Sequence, residues 1–409
     1  MDSSTLPETR TENRSRRLHP GLLALATGGF GIGLTEFVIA GLITEVGHSL
    51  HVSVPTAGVL IWGYALAVVV GAFTVTAALS RRPPKTALLV LLALFIAGNV
   101  ITSLAPGFAV AVVGRVVTAL CHGGFFGIGA VVAGDLATPE RKASAIAFMF
   151  GGLTLANVLG VPFGTFVGQH LGWRAAFWII SVIGVLAMVG IAALVPRLPT
   201  PEPAGSQFAV LRRPQVLVSI LLTMTLFGGL FGAFIYVEPL VTHVTGYSSA
   251  AVPWLLVVFG TGLFVGNIVG GAAADRDLTR TLRVVSVVLP LVLIGYALIA
   301  PHPVPVAVAL FVMGLVGFAA TPALQLRVVG FAGDAPTMAS AANIAAFNLG
   351  NAIGAWLGGA VIARGPGLES VPWIAALVPL AGMVLGMVSY RFEARPKPVP
   401  VAVCPEAAE

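Results

Sequence analysis

Three charged residues lie deep inside long apolar stretches of the sequence, where ionisable side chains are rare. They are Glu36, Arg115 and Glu238, and His122 follows Arg115 in the same stretch. A charged side chain at the centre of a membrane costs about 2.5–3.5 kcal/mol on insertion scales, so such residues are functional candidates by default. Acids and imidazoles bind and release protons, and a neighbouring guanidinium changes how readily they do so. Proton exchange is therefore the first chemistry that the sequence indicates.

Glu36 and Arg115 are expected at similar depths in the membrane. Glu36 lies 16 residues into the first apolar stretch, about 24 Å along a helix from its start. Arg115 lies seven residues into the fourth stretch, about 10 Å from its start. The first and fourth helices cross the membrane in opposite directions, so both residues fall in the same half of it. A carboxylate beside a guanidinium keeps its charge, whereas an isolated carboxylate in an apolar environment takes up a proton. A pair that closes and opens would exchange a proton. The alternative is a static pair that cancels two insertion costs.

The imidazole of His122 lies seven residues after Arg115, about two helical turns, so both side chains face one side of a helix. Histidine exchanges protons near neutral pH, which suits a proton relay or a substrate contact. A neutral histidine bonded to a carbonyl of a neighbouring helix is the alternative. Glu238 precedes Pro239 near the end of a stretch, and we expect it at a solvated helix end.

Further polar and aromatic residues are candidates for a substrate cavity. The amides Asn343 and Asn348 have no counterpart in the internal repeat described below, which favours a substrate contact. Tyr64, Phe231 and Tyr236 are aromatic residues that suit the wall of an apolar cavity, with lipid-facing or core positions as the alternative. Hydrogen bonds between helices, each contributing about 0.6 kcal/mol, explain most other amides in these stretches.

The composition shows that membrane helices must hold these residues. Of 409 residues, 57% are hydrophobic and 9% are charged, against roughly 25% charged in ordinary soluble domains. This excludes a soluble enzyme and disordered, collagen-like and disulfide-framework proteins. No Cys/His spacing indicates a metal site. No Gly-x-x-x-x-Gly-Lys-Ser/Thr loop occurs either, so we expect a proton gradient, and no cofactor, to supply the energy.

Twelve apolar runs are each long enough to cross a membrane, for which a helix needs about 20 residues. They lie at 20–44, 55–79, 86–105, 108–134, 143–168, 175–196, 216–241, 251–274, 284–300, 304–326, 338–363 and 371–390. The first run lacks a small-residue cleavage site and is expected to remain as an anchor. The sequence therefore predicts an all-α integral membrane protein.

The basic residues predict how these helices are oriented. With twelve spans both termini share one side, and 19 of the 22 Lys and Arg residues fall there. Arg174 and Arg364 fall on the other side, and Arg115 lies within a span. Because cytoplasmic loops are rich in Lys and Arg, both termini are predicted to be cytoplasmic. This asymmetry explains the net charge of +6 better than nucleic acid binding does.

Two matching segments indicate that the chain consists of two related halves. Residues 155–160 match 349–354 at an offset of 194, and Ser80-Arg81 match Asp275-Arg276 at an offset of 195. Parallel repeats of six helices around a midplane site are typical of secondary transporters. The predicted organisation is a cytoplasmic tail at 1–19, a six-helix bundle at 20–196, a cytoplasmic linker at 197–215, a second bundle at 216–391 and a cytoplasmic tail at 392–409.

Small residues recur at every fourth position in the fifth and eleventh spans. These ladders consist of Ala156, Gly160, Gly164 and Gly168, and of Gly350, Gly354 and Gly358. Such ladders allow two helices to touch closely, and we expect them at the seam between the halves. Pro162 removes a backbone donor and bends its helix, which suits rocking of one half against the other. Static packing is the alternative.

Together these motifs resemble the major facilitator superfamily, from about residue 20 to 390. The loop signature of that family appears at 271–276 as Gly-Ala-Ala-Ala-Asp-Arg, while its first-half copy at 80–85 lacks the acid. Gly114-Arg115 matches the arginine motif of the fourth span, and Gly-Val-Pro-Phe-Gly at 160–164 matches the drug-exporter motif of the fifth. His-Gly-Gly-Phe-Phe at 122–126 is most similar to the bacterial arabinose-efflux members, beside chloramphenicol exporters of the same drug:proton antiporter branch.

The resemblance implies two pseudo-symmetric six-helix bundles and proton-coupled efflux of a small organic molecule, a drug such as chloramphenicol or a sugar, by alternating access. It implies that Arg81, Asp275 and Arg276 take part in conformational gating with the ladder glycines. The expected setting is the bacterial inner membrane, and the expected partners are protons, substrate and lipid, with a monomeric chain. Uptake of a sugar or nucleoside, and a membrane sensor that transports nothing, remain as alternative functions.

Overall fold

The computed structural model describes residues 19–52, 54–199, 207–365 and 367–391, and these residues form helices joined by short loops. Both predicted tails, apart from residue 19, and the middle of the predicted linker lie outside the described residues. Twelve long helices are labelled α1 to α12. They span Pro20–Phe37, Val59–Leu79, Pro84–Ser103, Phe108–Asp135, Lys142–Leu171, Trp173–Leu194, Pro214–Phe234, Val252–Arg276, Leu278–Ile299, Pro303–Phe331, Pro336–Ala363 and Val371–Arg391.

Each predicted run corresponds to one of these helices. The largest differences are at the ends of α1 and α7, which stop at Phe37 and Phe234, seven residues before the predicted ends at 44 and 241. The start of α9 differs by six residues. That helix begins at Leu278, whereas the sequence predicted a start at 284. The Asp277 carboxylate accepts a hydrogen bond from the backbone N–H of Arg280 at 2.8 Å, which caps the helix. Two arginines in the first turns therefore belong to the helix, although their charge suggested a loop.

Within the described residues, eleven helices are long and apolar enough to cross a membrane. The twelfth long helix, α1, is less apolar because it contains several glycines and Glu36. Its glycines allow close packing: a Cβ added at Gly33 would lie 2.8 Å from the Cβ of Ala156 on α5. A short helix, Ile43–Ser49, continues the chain beyond α1, and another, Val237–His243, follows α7.

The helices pack in two sets of six with the same arrangement. In the first half α1 packs on α5, α2 on α4, and α3 on α6. In the second half the equivalent pairs are α7 with α11, α8 with α10, and α9 with α12. This repetition confirms the predicted all-α fold of two pseudo-symmetric six-helix bundles.

The glycine ladders do not lie at the seam between the halves, and this expectation from the sequence was wrong. Gly160 and Gly164 of α5 contact Phe37 and Val38, at the end of α1 in the same half. Gly354 of α11 contacts Gly228 of α7, again within one half. A stripe of small residues shows that two helices approach closely, but it does not identify the partner. Pro162 also lies on α5, with an exposed side chain.

The seam between the halves is formed mainly by other faces of α4, α5, α8 and α11. On α5, Ala143 and Ala147 contact Gly271 of α8. Gly127 of α4 contacts Ala341 of α11. These contacts lie near the loops that follow α2, α4, α8 and α10. We call this end of the bundle the basic face, because Arg81, Arg82, Lys85, Arg141, Lys142, Arg212, Arg213, Arg276 and Arg280 lie there.

Candidate functional site

Arg115 is buried in the first half and ties three helices together. Its Nη1 donates to the backbone carbonyl of Thr35 on α1 at 2.6 Å, and its Nε donates to the carbonyl of Leu60 on α2 at 3.1 Å. Its guanidinium lies over the ring of Tyr64, with Cζ 4.2 Å from the ring centroid. The Nη2 atom is buried and has no hydrogen-bond partner among the described residues. Arg115 therefore retains one free donor.

Glu36 directly follows the residue that Arg115 contacts. Its side chain is partly buried, one residue before the end of α1. Among the described residues, no ion pair within 4.0 Å joins the Glu36 carboxylate to the Arg115 guanidinium. The structure thus brings the two predicted partners to adjacent positions on α1 and α4 without an ion pair.

His122 lies one layer closer to the basic face and is connected to Arg115 through Tyr64. The Tyr64 hydroxyl is hydrogen-bonded to His122 Nδ1 at 3.1 Å. Tyr64 therefore contacts the Arg115 guanidinium through its ring and the His122 imidazole through its hydroxyl. His122 is buried and also contacts the ring of Phe126, with 5.0 Å between centroids. The partner of this histidine is a tyrosine rather than the backbone carbonyl considered from the sequence. Arg115, Tyr64 and His122 form one continuous group.

The second half carries aromatic residues where the first half carries polar ones. At the repeat offset of 195, Glu36 corresponds to Phe231 and Tyr64 corresponds to Phe259. The rings form a connected cluster, with centroid distances of 4.3 to 5.9 Å for Phe227–Phe347, Phe227–Phe318, Phe227–Phe231 and Phe231–Phe234. Phe234 stacks on Phe259 at 4.1 Å. The duplicated halves therefore have different chemistry at equivalent depths.

Asn343 belongs to a buried polar network between α7, α10 and α11. Its Oδ1 accepts from Thr223 Oγ1 at 2.6 Å, and its Nδ2 donates to Gln325 Oε1 at 2.8 Å. The side-chain amide of Gln325 in turn donates to the hydroxyl of Ser340. Asn343 thus already has partners for its side-chain oxygen and nitrogen. A substrate contact there requires this network to open.

The other two predicted cavity residues of the second half make local contacts. Tyr236 donates its hydroxyl to the carbonyl of Ala355 on α11 at 2.7 Å, and its ring packs against Gly358. Asn348 donates to the carbonyl of Ile344, one turn earlier in its own helix, at 3.0 Å. Glu238 has an exposed side chain in the first turn of the short helix after α7.

The sequence did not identify Arg327 as a buried charge, since it was assigned to a loop. It lies inside α10, where its Nε donates to Ser219 Oγ and its Nη2 to Gln215 Oε1, both at 3.1 Å. A detectable signal was the spacing on α7: Gln215, Ser219 and Thr223 recur at every fourth residue and share one helix face. The same face continues into Phe227 and Phe231.

Asp275, one of the predicted gating residues, joins the two halves at the basic face. Its carboxylate accepts from the backbone N–H of Ala143 at 2.7 Å and of Ser144 at 3.0 Å, in the first turn of α5. A carboxylate at a helix N-terminus is favoured by the helix dipole. Ser80 takes the equivalent position in the first half, and its hydroxyl bonds back to Ala77 in the same helix. Asp275 of the second half therefore makes a contact across the seam that Ser80, its counterpart in the first half, does not make among the described residues.

The remaining gating candidates lie beside this contact. Arg276 is the last residue of α8, and Arg81 lies in the loop after α2; both side chains are exposed. On the same helix as Asp275, the amide of Asn267 donates to the backbone carbonyl of Ala147 on α5. Asp275 and, two helical turns earlier, Asn267 thus both join α8 to α5 by hydrogen bonds.

Comparison with known proteins agrees with this architecture. The family model described as Major Facilitator Superfamily matches residues 25–343 and 220–406. The inner membrane transport protein YdhP of Escherichia coli K12 is 41% identical over 384 residues, covering 93% of this chain and 98% of YdhP. The chloramphenicol resistance protein of Streptomyces lividans is 33% identical over 366 residues, covering 87% of this chain and 93% of that protein.

A solved structure supports the same fold. The crystal structure of the transporter FucP in the outward conformation superimposes with a TM-score of 0.75, covering 91% of this chain and 99% of FucP, at 12% identity. The names of the relatives are consistent with the drug:proton antiporter branch that the span motifs indicated. The matched family model, the relatives and the repeated packing of twelve helices agree: the chain is a membrane transporter of the major facilitator superfamily.

Proposed function

We propose that this protein is a proton-coupled exporter of small, largely uncharged organic molecules. The observation that carries the proposal is the difference between the halves at equivalent positions. Glu36 and Tyr64 in the first half correspond to Phe231 and Phe259 in the second. The ionisable residues of the first half suit the binding of a proton, and the aromatic residues of the second half suit the binding of an apolar solute. A transporter that has both can exchange one for the other.

The first half supplies the proton chemistry in this proposal. Arg115 is held rigidly by two backbone carbonyls, and its Nη2 has no hydrogen-bond partner among the described residues. Glu36, adjacent to that contact, makes no ion pair within 4.0 Å with any residue that the structure describes. A carboxylate that moves towards a fixed guanidinium releases its proton, and one that moves away into apolar surroundings takes a proton up. Substrate binding and helix movement control that distance.

The second half supplies the substrate wall. Phe227, Phe231, Phe234 and Phe259 lie in ring-to-ring contact on α7 and α8. Aromatic faces of this kind bind flat or apolar solutes through their surface area rather than through charge. The 33% identical relative named chloramphenicol resistance protein supports a drug-like solute over a sugar. Sugars require several hydrogen-bond partners, and these rings provide none.

The proposed orientation in the membrane follows from the basic face. Because cytoplasmic loops are enriched in Lys and Arg, we infer that the basic face is cytoplasmic, with both termini on that side of the bacterial inner membrane. Contacts between the halves include several near that face, where Asp275 caps α5, and others further along α5 and α8, where Val158 meets Gly260. This arrangement supports a state closed to the cytoplasm. Exporters and importers both pass through such a state, so the proposed direction of export depends instead on the likeness to the relative named chloramphenicol resistance protein.

An accumulation screen tests the proposal. Cells that express the protein are loaded with chloramphenicol, arabinose or adenosine, with and without a protonophore, and the intracellular amounts are measured. We expect lower chloramphenicol accumulation, restored by the protonophore and by Glu36→Gln, while the exposed Glu238→Gln variant behaves as wild type. Increased arabinose or adenosine uptake would support an importer instead, and unchanged levels of all three would contradict this assignment of substrate class.

A further inference from the structure

A groove on the membrane-facing surface of the second half is not used by the proposed transport cycle. It has a volume of about 350 Å³ and lies between α8, α9 and α10. Its walls are almost wholly apolar and include Val269, Ala273, Val284, Val288 and Leu315. The side chains of Val269 and Val284 are 50% and 52% exposed, and both lie on helices that are long and apolar enough to cross a membrane, where exposed apolar side chains face lipid. The groove therefore opens towards the bilayer.

Two arginines stand at the mouth of this groove, at the basic face. Arg276 is the last residue of α8 and Arg280 lies in the first turn of α9; both side chains are exposed and line the groove. The hydroxyl-bearing Thr281 lies beside them. Asp277 also lines the mouth, but its carboxylate caps α9 through the backbone N–H of Arg280 at 2.8 Å. Two positive charges and one negative charge leave the mouth positive.

The groove and its mouth have the dimensions of a lipid site. From Arg280 to Val288 the wall of α9 descends about 12 Å along the helix axis. An occupant must therefore combine an anionic group at the membrane surface with an apolar chain below it. Basic pockets between helices on the cytoplasmic side bind anionic headgroups, and arginine donates paired hydrogen bonds to phosphate. Soluble phosphate could contact the two arginines at the mouth, but it would make no contact with the apolar wall.

We propose that this groove binds one anionic phospholipid of the leaflet at the basic face. The phosphate contacts Arg276 and Arg280, and an acyl chain lies along Ala273, Val284 and Val288. The proposal is independent of the transported substrate. A zwitterionic lipid carries the same chains but cancels the headgroup charge, so the two arginines select against it.

Native mass spectrometry of the full-length protein in detergent tests the proposal. The protein is titrated with phosphatidylglycerol, with phosphatidylcholine of the same acyl chains, or with glycerol 3-phosphate, and the bound fraction is counted. We expect one tightly retained phosphatidylglycerol. Arg280→Gln weakens it about fivefold, since each arginine near a membrane surface contributes that order of attraction. Val284→Trp fills the groove and weakens it as well, without changing charge.

The matched control is Arg82→Gln, which removes one exposed positive charge from the same face but away from the groove. It should retain phosphatidylglycerol as the wild type does. Equal binding of phosphatidylcholine, equal binding of glycerol 3-phosphate, or an equal loss in Arg82→Gln would each overturn the proposal. Size-exclusion profiles of every variant verify that it is folded. The proposal requires that Arg280→Gln and Val284→Trp both weaken the binding of phosphatidylglycerol.

Discussion

At the scale of single residues, the guanidinium of Arg115 has a geometric role as well as an electrostatic one. Lysine carries the same charge but cannot donate to the carbonyls of Thr35 and Leu60 at once in this planar arrangement. We therefore expect Arg115→Lys to insert into the membrane, to unfold at a lower temperature and to lose transport by at least about tenfold. Each hydrogen bond to a charged group contributes about 1.5–3 kcal/mol, which is the source of the lost stability.

Thermal unfolding in detergent and accumulation assays measure these two effects for Arg115→Lys. Arg82→Lys is the control, because Arg82 is exposed in the loop after α2. If Arg115→Lys transports at the wild-type rate, the hydrogen-bond geometry described here is not required for function.

Tyr64 offers a way to separate its two contacts. Tyr64→Phe removes the hydroxyl that bonds His122 Nδ1 but keeps the ring beneath Arg115. We expect a loss of about 1 kcal/mol of stability and near-normal transport for this variant. Tyr64→Leu also removes the ring and should strongly reduce transport. Comparable transport rates for the two variants would show that the contact between the ring and the guanidinium has no role.

The sequence identified Glu36 and Arg115 as the candidate charged residues of the first half, because they stand out against an apolar background. It could not predict their partners. The contacts of Arg115 are backbone carbonyls of Thr35 and Leu60, and every residue carries a carbonyl. Arg327 was missed for a related reason: a charge near the end of a span looks the same whether it faces water or a buried network.

At the scale of helices, the glycines of α7 and α11 determine how closely those helices pack. A Cβ at Gly354 would collide with the backbone of Gly228, so the helices must separate. We expect Gly354→Ala to cost about 1–3 kcal/mol, as overpacking does in other interiors. A Cβ at Gly295 of α9 meets no atom within 4 Å, so Gly295→Ala should be neutral. Equal melting temperatures for both variants would contradict the described packing.

The positions of the twelve helices along the chain were predictable, and the contacts of each face were not. Run lengths and charged loops determine where a helix of about 20 residues must lie. The ladder of α5 marked a face for close contact, yet α5 contacts both α1 and α8. Only the three-dimensional arrangement shows that Gly160 and Gly164 face α1, while Ala143 and Ala147 face α8.

At the scale of the whole molecule, the Asp275 carboxylate joins α8 of the second half to the N-terminus of α5 in the first. Asp275→Asn removes the charge that favours the N-terminus of α5, a change of about 1–2 kcal/mol. We expect the equilibrium to shift five- to thirtyfold towards separated halves. The measurement is the rate of thiol labelling at Ala147→Cys, in a background without the two natural cysteines. Ala147 is buried in the seam.

Asp277→Asn is the matched control for this shift, because Asp277 caps α9 within its own half. It should leave the labelling rate at Ala147→Cys unchanged. An equal rate in the Asp275 and Asp277 variants would mean that the contact between α8 and α5 does not hold the halves together.

The global architecture was predictable because two independent signals agreed. Twelve apolar runs and the one-sided basic loops determined the number of helices, and repeats at offsets of 194 and 195 indicated duplicated halves. The division of chemistry between the halves was not predictable in the same way. Phe231 is one of 23 phenylalanines, and only the ring contacts distinguish its cluster from side chains that face lipid.

The most direct test of the proton-coupling proposal uses everted membrane vesicles in which respiration has built up a proton gradient. The added compound is the one that the accumulation screen finds to be most strongly excluded. In wild-type vesicles and in Glu238→Gln vesicles, we expect the compound to dissipate part of the gradient within seconds. Glu36→Gln vesicles, with an equal amount of inserted protein, should show no such response. Normal dissipation by Glu36→Gln would contradict the proposal that Glu36 carries the exchanged proton.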